Sequence, residues 1–339
     1  MTWRTRITEQ CGIDLPFVSA GMGFLALPAL VSAVSNAGGL GLLGLSPAPP
    51  EGARAMIQAT RAMTDKPFGV DLIIAETVFG PSCTDEHIEV CVAEGVRVIV
   101  FFWNLPSPAW IKKLKNSGAK IWVQVSAIDE AKAAINLGAD AIIAQGEQAG
   151  GHNRSDLALS SIVPAIVGAI SPAPVIAAGG IADGRTAAAA LALGADAVCV
   201  GTRLIASNEA YAHEEYKRRV VKASAFETAK TKIFGPEWPD EPIRVLRNRV
   251  VDEWAGKDYT TAPQTTMIGK TVLGGHEYAM PKFSAALPTP DTTGDFEEMC
   301  MPAGESAGLV HAIKPAGEIV REIMDEAAKA IETLGRLTT

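Results

Sequence analysis

One histidine in this chain follows directly on a pair of glycines, and this arrangement suits a site that binds a flat ligand and moves a proton. His152 ends the segment AQGEQAGGH, residues 144–152, immediately after Gly150 and Gly151. Paired glycines let a backbone approach a planar molecule closely, and imidazole exchanges a proton near neutral pH. The segment therefore predicts a cofactor site with a proton-transfer group beside it.

Two further turns of small residues predict a phosphate site. Gly179 and Gly180 follow one short apolar run, and Gly201 and Thr202 follow the next. Where such turns lead from a strand into a helix, the unpaired N–H groups and the helix dipole favour an anion. The alternative is that the glycines only make tight turns, but two such turns in succession, the second with a hydroxyl, favour phosphate. The GxxxxGK and GxGxxG patterns are both absent.

The remaining chemistry-bearing residues are scattered. We expect His87, His213 and His311 to be structural or exposed. His152 has no histidine or carboxylate cluster at metal-ligand spacing near it, so no metal site is predicted. No nucleophile triad stands out either. A phosphate pocket with one base and no metal predicts that an organic cofactor supplies the difficult chemistry.

Short β-rich runs alternate with alanine-rich helical patterns through the first two thirds of the chain, and glycines mark helix ends before several strands. This alternation predicts a parallel sheet, and eight units favour a closed (β/α)8 barrel over an open doubly wound sheet. Such a barrel places the 144–152 segment and both glycine turns on its active-site face. The candidate strands are 16–19, 40–43, 68–74, 96–102, 120–125, 141–144, 175–177 and 197–200.

The alternation fades after residue 202. A charged helical pattern covers about 208–230, a Pro-, Gly- and Thr-rich region follows, and a helical pattern resumes at 315–334. We therefore predict an α/β fold, a (β/α)8 TIM barrel with an additional helix-and-loop lobe after strand eight. The predicted division is a barrel at 1–207, a lid or substrate lobe at 208–308, and a C-terminal helix at 309–339 packing back on the barrel. A disordered tail is the alternative, and it is disfavoured by the aromatic residues Trp238, Trp254, Tyr259, Tyr278 and Phe283.

Composition excludes several classes of partner. The net charge is -8 and no basic stripe is present, so we expect no nucleic acid. The five cysteines are scattered without CxxC spacing, which is typical of a reducing compartment. The N-terminus has no signal-like apolar region, and no uninterrupted apolar span reaches about 20 residues. We expect a cytoplasmic protein with no membrane span.

Motifs spread over nearly the whole chain resemble those of the nitronate monooxygenases. This family of FMN-dependent barrels, formerly called 2-nitropropane dioxygenases, includes related quinone reductases and a flavin enoyl reductase. The AQG…AGGH and AAGGI…GT pair is the specific part. The motifs lie at 20–23, 36–41, 144–152, 177–181, 201–202, 244–248, 293–295 and 303–308.

The resemblance implies roles around a bound FMN. His152 is implied as the catalytic base or the hydrogen-bond donor to the substrate, and Gln124 and Gln145 as the residues that reach the polar edge of the ring. The other implied cofactor-binding positions are Gly21, Met22, Gly23, Gly150 and Gly151 beside the ring and Gly179, Gly180, Gly201 and Thr202 at the phosphate.

This chain departs from the family pattern at a few positions. Gly21 replaces a common proline, which should loosen that turn. Asp71, also assigned to cofactor binding, stands where asparagine is frequent. Gln148 replaces a glutamate, with an acid at Glu147 instead, and an extra carboxylate near the flavin would change its electrostatics. The sequence FFWN at 101–104 should narrow the substrate pocket or make it more aromatic.

The resemblance implies FMN-dependent oxidation of alkyl nitronates, with nitroalkanes as a further class, to carbonyl compounds and nitrite using O2. The expected partners are a small-molecule substrate and O2, and a homo-oligomer is left open. Three alternatives stay open: an NAD(P)H-dependent flavin reductase acting on quinones or enoyl thioesters, a non-catalytic FMN-binding or sensor protein, and a metal-free barrel isomerase or aldolase for a sugar phosphate.

Overall fold

The computed structural model describes residues 2–46, 48–261, 266–273 and 276–337. The positions outside it include residues 1 and 339, the two ends of the predicted domain division. Within the described residues the chain forms sixteen strands, which are β1 (Phe17–Ser19), β2 (Gly41–Gly44), β3 (Phe68–Ile73), β4 (Glu76–Thr77), β5 (Gly80–Pro81), β6 (Val98–Phe102), β7 (Lys120–Val125), β8 (Ala141–Gln145), β9 (Gly151–His152), β10 (Val175–Ala178), β11 (Ala197–Val200), β12 (Thr228–Thr231), β13 (Ile243–Leu246), β14 (Met267–Leu273), β15 (His276–Pro281) and β16 (Thr293–Gly294). The same residues form twelve α-helices, which are α1 (Arg6–Cys11), α2 (Pro28–Asn36), α3 (Pro50–Met63), α4 (Asp85–Ala93), α5 (Pro108–Asn116), α6 (Ile128–Leu137), α7 (Leu159–Ile170), α8 (Gly184–Ala192), α9 (Thr202–Ile205), α10 (Glu214–Lys222), α11 (Arg249–Trp254) and α12 (Ala316–Gly335).

Eight parallel strands form a barrel, in the order β1, β11, β10, β8, β7, β6, β3 and β2. The two end strands meet through a parallel bridge between Val18 and Leu40, and the N–H of Ser19 donates to the carbonyl of Leu40 at 2.9 Å. The predicted TIM barrel is confirmed, and each of the eight candidate strands overlaps one of these strands.

Alternate residues along each strand pack on opposite sides of the barrel wall. On β6, Val98 and Val100 belong to the interior cluster, whereas Ile99 and Phe101 pack against the outer helices. This is the period of two that a strand imposes on its side chains. The buried Trp122 fills the interior near α1, where its Nε1–H donates to Gln10 at 2.9 Å. Helix α1 therefore closes the amino-terminal end of the barrel and leaves the opposite end open.

The glycines predicted to end helices have the left-handed backbone that this role requires. Gly118, Gly138 and Gly194 have φ angles of 83°, 106° and 101°, and each lies just after a helix and before a strand. A residue with a Cβ is disfavoured at such a φ, so glycine ends the helix and turns the chain toward the sheet.

The residues after β11 build a lobe from helices and two small antiparallel sheets. Strands β12 and β13 form one sheet with β9, and β14 pairs with β15 and β16. The predicted helical segment at 208–230 is helical mainly over Glu214–Lys222, because β12 begins at Thr228 and pairs with β13. Helix α12 then packs on α8 and α2 of the barrel. These ordered elements disfavour a disordered tail, and the domain boundaries stay a prediction.

Among the described residues, no helix combines the length and apolarity that crossing a bilayer requires.

Candidate active site

A cavity of about 750 Å³ opens at the carboxyl ends of the barrel strands. Every site residue expected from the sequence lines it, although these residues come from widely separated parts of the chain. The parallel barrel explains this, because it brings the carboxyl ends of all its strands to one face. The thirteen residues are Gly21, Met22, Gly23, Asp71, Gln124, Gln145, Gly150, Gly151, His152, Gly179, Gly180, Gly201 and Thr202.

The turns after β10 and β11 lie side by side at one end of this cavity. Gly179 and Gly180 have φ angles of 108° and 72°, a backbone that glycine adopts without steric cost. Thr202 begins the short helix α9, and its hydroxyl oxygen accepts the N–H of Gly304 at 2.9 Å. Because that oxygen acts as an acceptor, the hydroxyl proton is left to donate to an anion. The geometry suits the predicted phosphate site.

The segment that carries His152 is packed tightly against the lobe. A Cβ added at Gly150 would lie 2.4 Å from the backbone nitrogen of Gly304, so only glycine permits this approach. Asn153 fixes the preceding turn, since its side-chain amide donates to the carbonyls of Gly146 and Ala149 at 3.0 and 3.1 Å. The lobe therefore helps to hold the backbone that faces the cavity.

His152 lies in the short strand β9. Strand β9 pairs antiparallel with β13 of the lobe, and His152 stands opposite Ile243. Gln145 supports it from the barrel by donating its side-chain amide to the His152 carbonyl at 3.1 Å. The imidazole position is thus set jointly by barrel and lobe, and a sequence pattern around residue 152 cannot show the partner strand.

The His152 ring is enclosed by two tryptophans. Its centroid lies 4.3 Å from the ring of Trp238 and 5.6 Å from the ring of Trp103. Burial lowers the pKa of His152 to about 4, and a backbone hydrogen bond to Pro242 acts in the opposite direction. Within the described residues, the buried Nδ1 atom has no hydrogen-bond partner. The imidazole is therefore neutral near pH 7.

Trp103 occupies an uncommon backbone conformation beside this histidine. Its φ is 82°, a strained value for a bulky side chain. The ring is held by a hydrogen bond from Nε1–H to Glu241 at 3.1 Å and by the guanidinium of Arg154, 4.3 Å from its centroid. These contacts stabilise the strained residue against His152.

The expectation for the FFWN stretch at 101–104 holds for only part of it. Phe102 lines the cavity, and Trp103 contacts His152 from the side. Phe101 instead packs in the outer core, stacked on Trp110, and the Asn104 amide donates to the carbonyl of Ile74 at 2.8 Å. The alternation of a β-strand explains why neighbouring aromatic residues separate in this way.

The lobe contributes cavity residues that the sequence did not single out as site residues. Glu237, Trp238 and Tyr278 all line the cavity. The Glu237 carboxylate accepts the Tyr278 hydroxyl at 2.9 Å and the Ala285 N–H at 2.9 Å, together with the hydroxyl of Ser284. The sequence signal for Trp238 and Tyr278 was the aromatic content of the lobe. It indicated that the lobe is ordered, but it did not indicate that these residues line the cavity.

Asp71 is the second carboxylate in the cavity wall. Burial raises its pKa to about 8, so the neutral acid dominates near pH 7. Glu147 and Gln148 do not line the cavity, and the Gln148 side chain accepts the N–H of Leu159 at 3.1 Å. Asp71 therefore bears on the chemistry of the cavity, whereas Glu147 does not line it. Lysine and arginine are absent from the described residues that line the cavity.

Comparisons with known proteins match nearly the whole length of the chain. A family model described as nitronate monooxygenase matches residues 4–326. A relative from Mycobacterium tuberculosis (strain ATCC 25618 / H37Rv), named (3aS,4S,5R,7aS)-5-hydroxy-7a-methyl-1-oxo-octahydro-1H-indene-4-carboxyl-CoA dehydrogenase, is 33% identical over 99% of this chain and 99% of its own. A nitronate monooxygenase from Paraburkholderia phytofirmans is 30% identical over 98% of each chain. The solved structure of FabK from Thermotoga maritima has 35% identity and a TM-score of 0.83, covering 99% of this chain and 100% of its own.

Proposed function

Because the chain belongs to the nitronate monooxygenase family, we propose that it uses FMN to oxidise or reduce an uncharged acyl thioester at the carbons next to the thioester carbonyl. The family also establishes that the chain is a flavin-dependent oxidoreductase. The observation that carries the choice of substrate is the cavity wall beside His152. Among the described residues it has no lysine or arginine, and burial of an unpaired anion there is costly.

One relative supports the same substrate class. The Mycobacterium tuberculosis relative is named as a dehydrogenase of a carboxyl-CoA compound, which is a thioester, and its match covers 99% of this chain. A thioester carries no charge at its reacting end. The charged nucleotide of a coenzyme A ester would lie outside the cavity.

The cavity residues fit FMN in shape and in chemistry. Gly179, Gly180, Gly201 and Thr202 would hold the phosphate, because their turns combine an open backbone with a hydroxyl donor. The ring would lie along Gly21, Met22, Gly23, Gly150 and Gly151, with Gln124, Gln145 and Asp71 at its polar edge. When bound, FMN supplies the capacity to accept or donate a hydride.

His152 would contact the substrate through its imidazole, because the residue lines the cavity. Burial lowers the pKa of the ring to about 4, so the ring is neutral near pH 7 and carries one N–H donor. We assign to that N–H a hydrogen bond donated to the thioester carbonyl oxygen.

Product analysis tests this proposal. FMN-loaded protein is incubated with saturated and unsaturated acyl-CoA esters, with and without NADH or NADPH, and the thioesters are followed by mass spectrometry. We expect a mass change of two hydrogens in at least one apolar thioester. Production of nitrite from alkyl nitronates, with every thioester unchanged, would overturn the choice of substrate.

Oxidation of alkyl nitronates, with nitroalkanes as a further class, to carbonyl compounds and nitrite is the second candidate. The observation in its favour is the Paraburkholderia phytofirmans relative of that name, which matches 98% of this chain. A nitronate is an anion, and this candidate must therefore explain a cavity lining without a cation. Nitrite release in air separates the two functions in one assay.

A further inference from the structure

Asp71 lies in the cavity wall with little access to solvent. It is in β3, opposite Gly44 of β2 and Val100 of β6, and only 6% of it is exposed. Its methylene group is pressed against the turn after β1, where a Cβ added at Gly21 would come within 2.1 Å of it. The side chain therefore has little room to turn away from the cavity that it lines.

The described residues around Asp71 do not stabilise a negative charge. They donate no hydrogen bond to its carboxyl group, whereas the Glu237 carboxylate in the same cavity receives three. Cys199 of β11 also lines the cavity, and burial raises the pKa of its thiol to about 12. His87, His152 and Glu237 line other parts of the same cavity. A buried carboxyl group in such surroundings keeps its proton.

We propose that Asp71 is a neutral carboxylic acid at physiological pH and that it holds the polar edge of FMN by donating a hydrogen bond from its carboxyl group. The inference rests on the proposed cofactor and deepens it, because it makes cofactor affinity depend on one proton. A protonated carboxyl group has one O–H donor, and the ionised form has none. Ionisation also leaves a buried charge that cannot donate to the carbonyl oxygens of the ring.

The raised pKa of Asp71, about 8, sets the pH range of the effect. If only the protonated form binds well, the FMN dissociation constant is nearly constant up to pH 7. It then rises about tenfold between pH 7 and pH 9, because the protonated fraction falls by that factor.

The test measures FMN binding to the apoprotein by quenching of flavin fluorescence between pH 6.5 and pH 9. Asp71→Asn is the matched variant, because an amide has the same shape and keeps a donor but does not titrate. We expect the tenfold rise in the dissociation constant for the unmodified protein and less than a twofold rise for Asp71→Asn. Ionisation of FMN itself affects both proteins equally.

The experiment distinguishes failure of the role proposed for Asp71 from failure of the proposed cofactor. Equal pH dependence in two proteins that both bind FMN overturns the role of Asp71 and leaves the proposed function intact. Failure of both proteins to bind FMN at any pH overturns the proposed cofactor and the role of Asp71 together. Asp71→Leu, which keeps the bulk and removes the donor, is expected to weaken FMN binding at least tenfold at pH 7.

Discussion

The neutral, enclosed state of His152 has a direct consequence for stability at mildly acidic pH. An unfolded chain exposes the imidazole to water, where its pKa is about 6.5, whereas burial lowers the pKa in the folded protein to about 4. Between these values the unfolded state binds the proton and the folded state does not. His152 thus contributes stability above pH 6.5 that is lost as the pH falls through 4.

The size of the effect follows from the two pKa values. Integration of proton binding from pH 7 to pH 5 gives a loss of about 2 kcal/mol in the free energy of unfolding that is due to His152. Glutamine is polar and of similar length, and it does not titrate. His152→Gln is therefore expected to lose about 2 kcal/mol less stability than the unmodified protein over this range.

Urea denaturation at pH 7 and pH 5 measures this difference. His276→Gln is the matched control, because it makes the same substitution at an exposed histidine. If His152→Gln and the unmodified protein lose the same stability between the two pH values, the imidazole is not buried and neutral in the folded protein.

Three further predictions follow from the cavity. Trp238→Ala admits water to the imidazole, so the pKa of His152 should rise from about 4 toward its ordinary value; an unchanged NMR titration would refute the role of the tryptophan. Asp71→Asn should stabilise the apoprotein at pH 7. Because its pKa is raised, the stability that Asp71 contributes is fully present below about pH 4 and is lost as the pH rises through about 8, at about 1.4 kcal/mol per pH unit. The melting temperatures of the two proteins should therefore converge near pH 4. Gly179→Ala should lower the free energy of unfolding by about 1–3 kcal/mol, because the φ angle at Gly179 is 108°, and it should weaken FMN binding. Gly168→Ala in helix α7 is the control, because a Cβ there meets nothing within 4 Å, and it should leave FMN binding unchanged. Equal FMN affinity in both variants would argue against a phosphate site at the Gly179 turn.

The barrel was predictable because its signals are local. Runs such as 141–144 and 197–200 are apolar, and glycines such as Gly138 and Gly194 end the preceding helices, so each strand could be found without knowledge of its neighbours. Eight repeats of a strand followed by a helix then indicated a (β/α)8 barrel. Because such a barrel gathers the carboxyl ends of its strands at one face, His152 and both glycine turns were predicted to lie at that end, where the cavity lies.

The contribution of the lobe was not predictable in this way. Strand β9 has only two residues, and it exists because β13, about ninety residues later, pairs with it. Trp238 and Glu237 lie in a Pro- and Gly-rich stretch with no periodicity, so nothing local indicates that Trp238 contacts His152 or that Glu237 lines the cavity. The strained φ of Trp103 likewise depends on distant contacts with Arg154 and Glu241.

We propose that FMN in this cavity exchanges electrons with an uncharged thioester beside a neutral His152. Single-turnover spectroscopy without oxygen follows this exchange: FMN-loaded protein, either reduced with dithionite or left oxidised, is mixed with an unsaturated acyl-CoA, an alkyl nitronate or buffer. We expect that the thioester alone returns the reduced flavin to its oxidised spectrum, and that His152→Ala binds FMN normally but slows this step at least about a hundredfold. Reduced flavin that is stable to every thioester, together with oxidised flavin that is bleached by the nitronate, would refute the proposal.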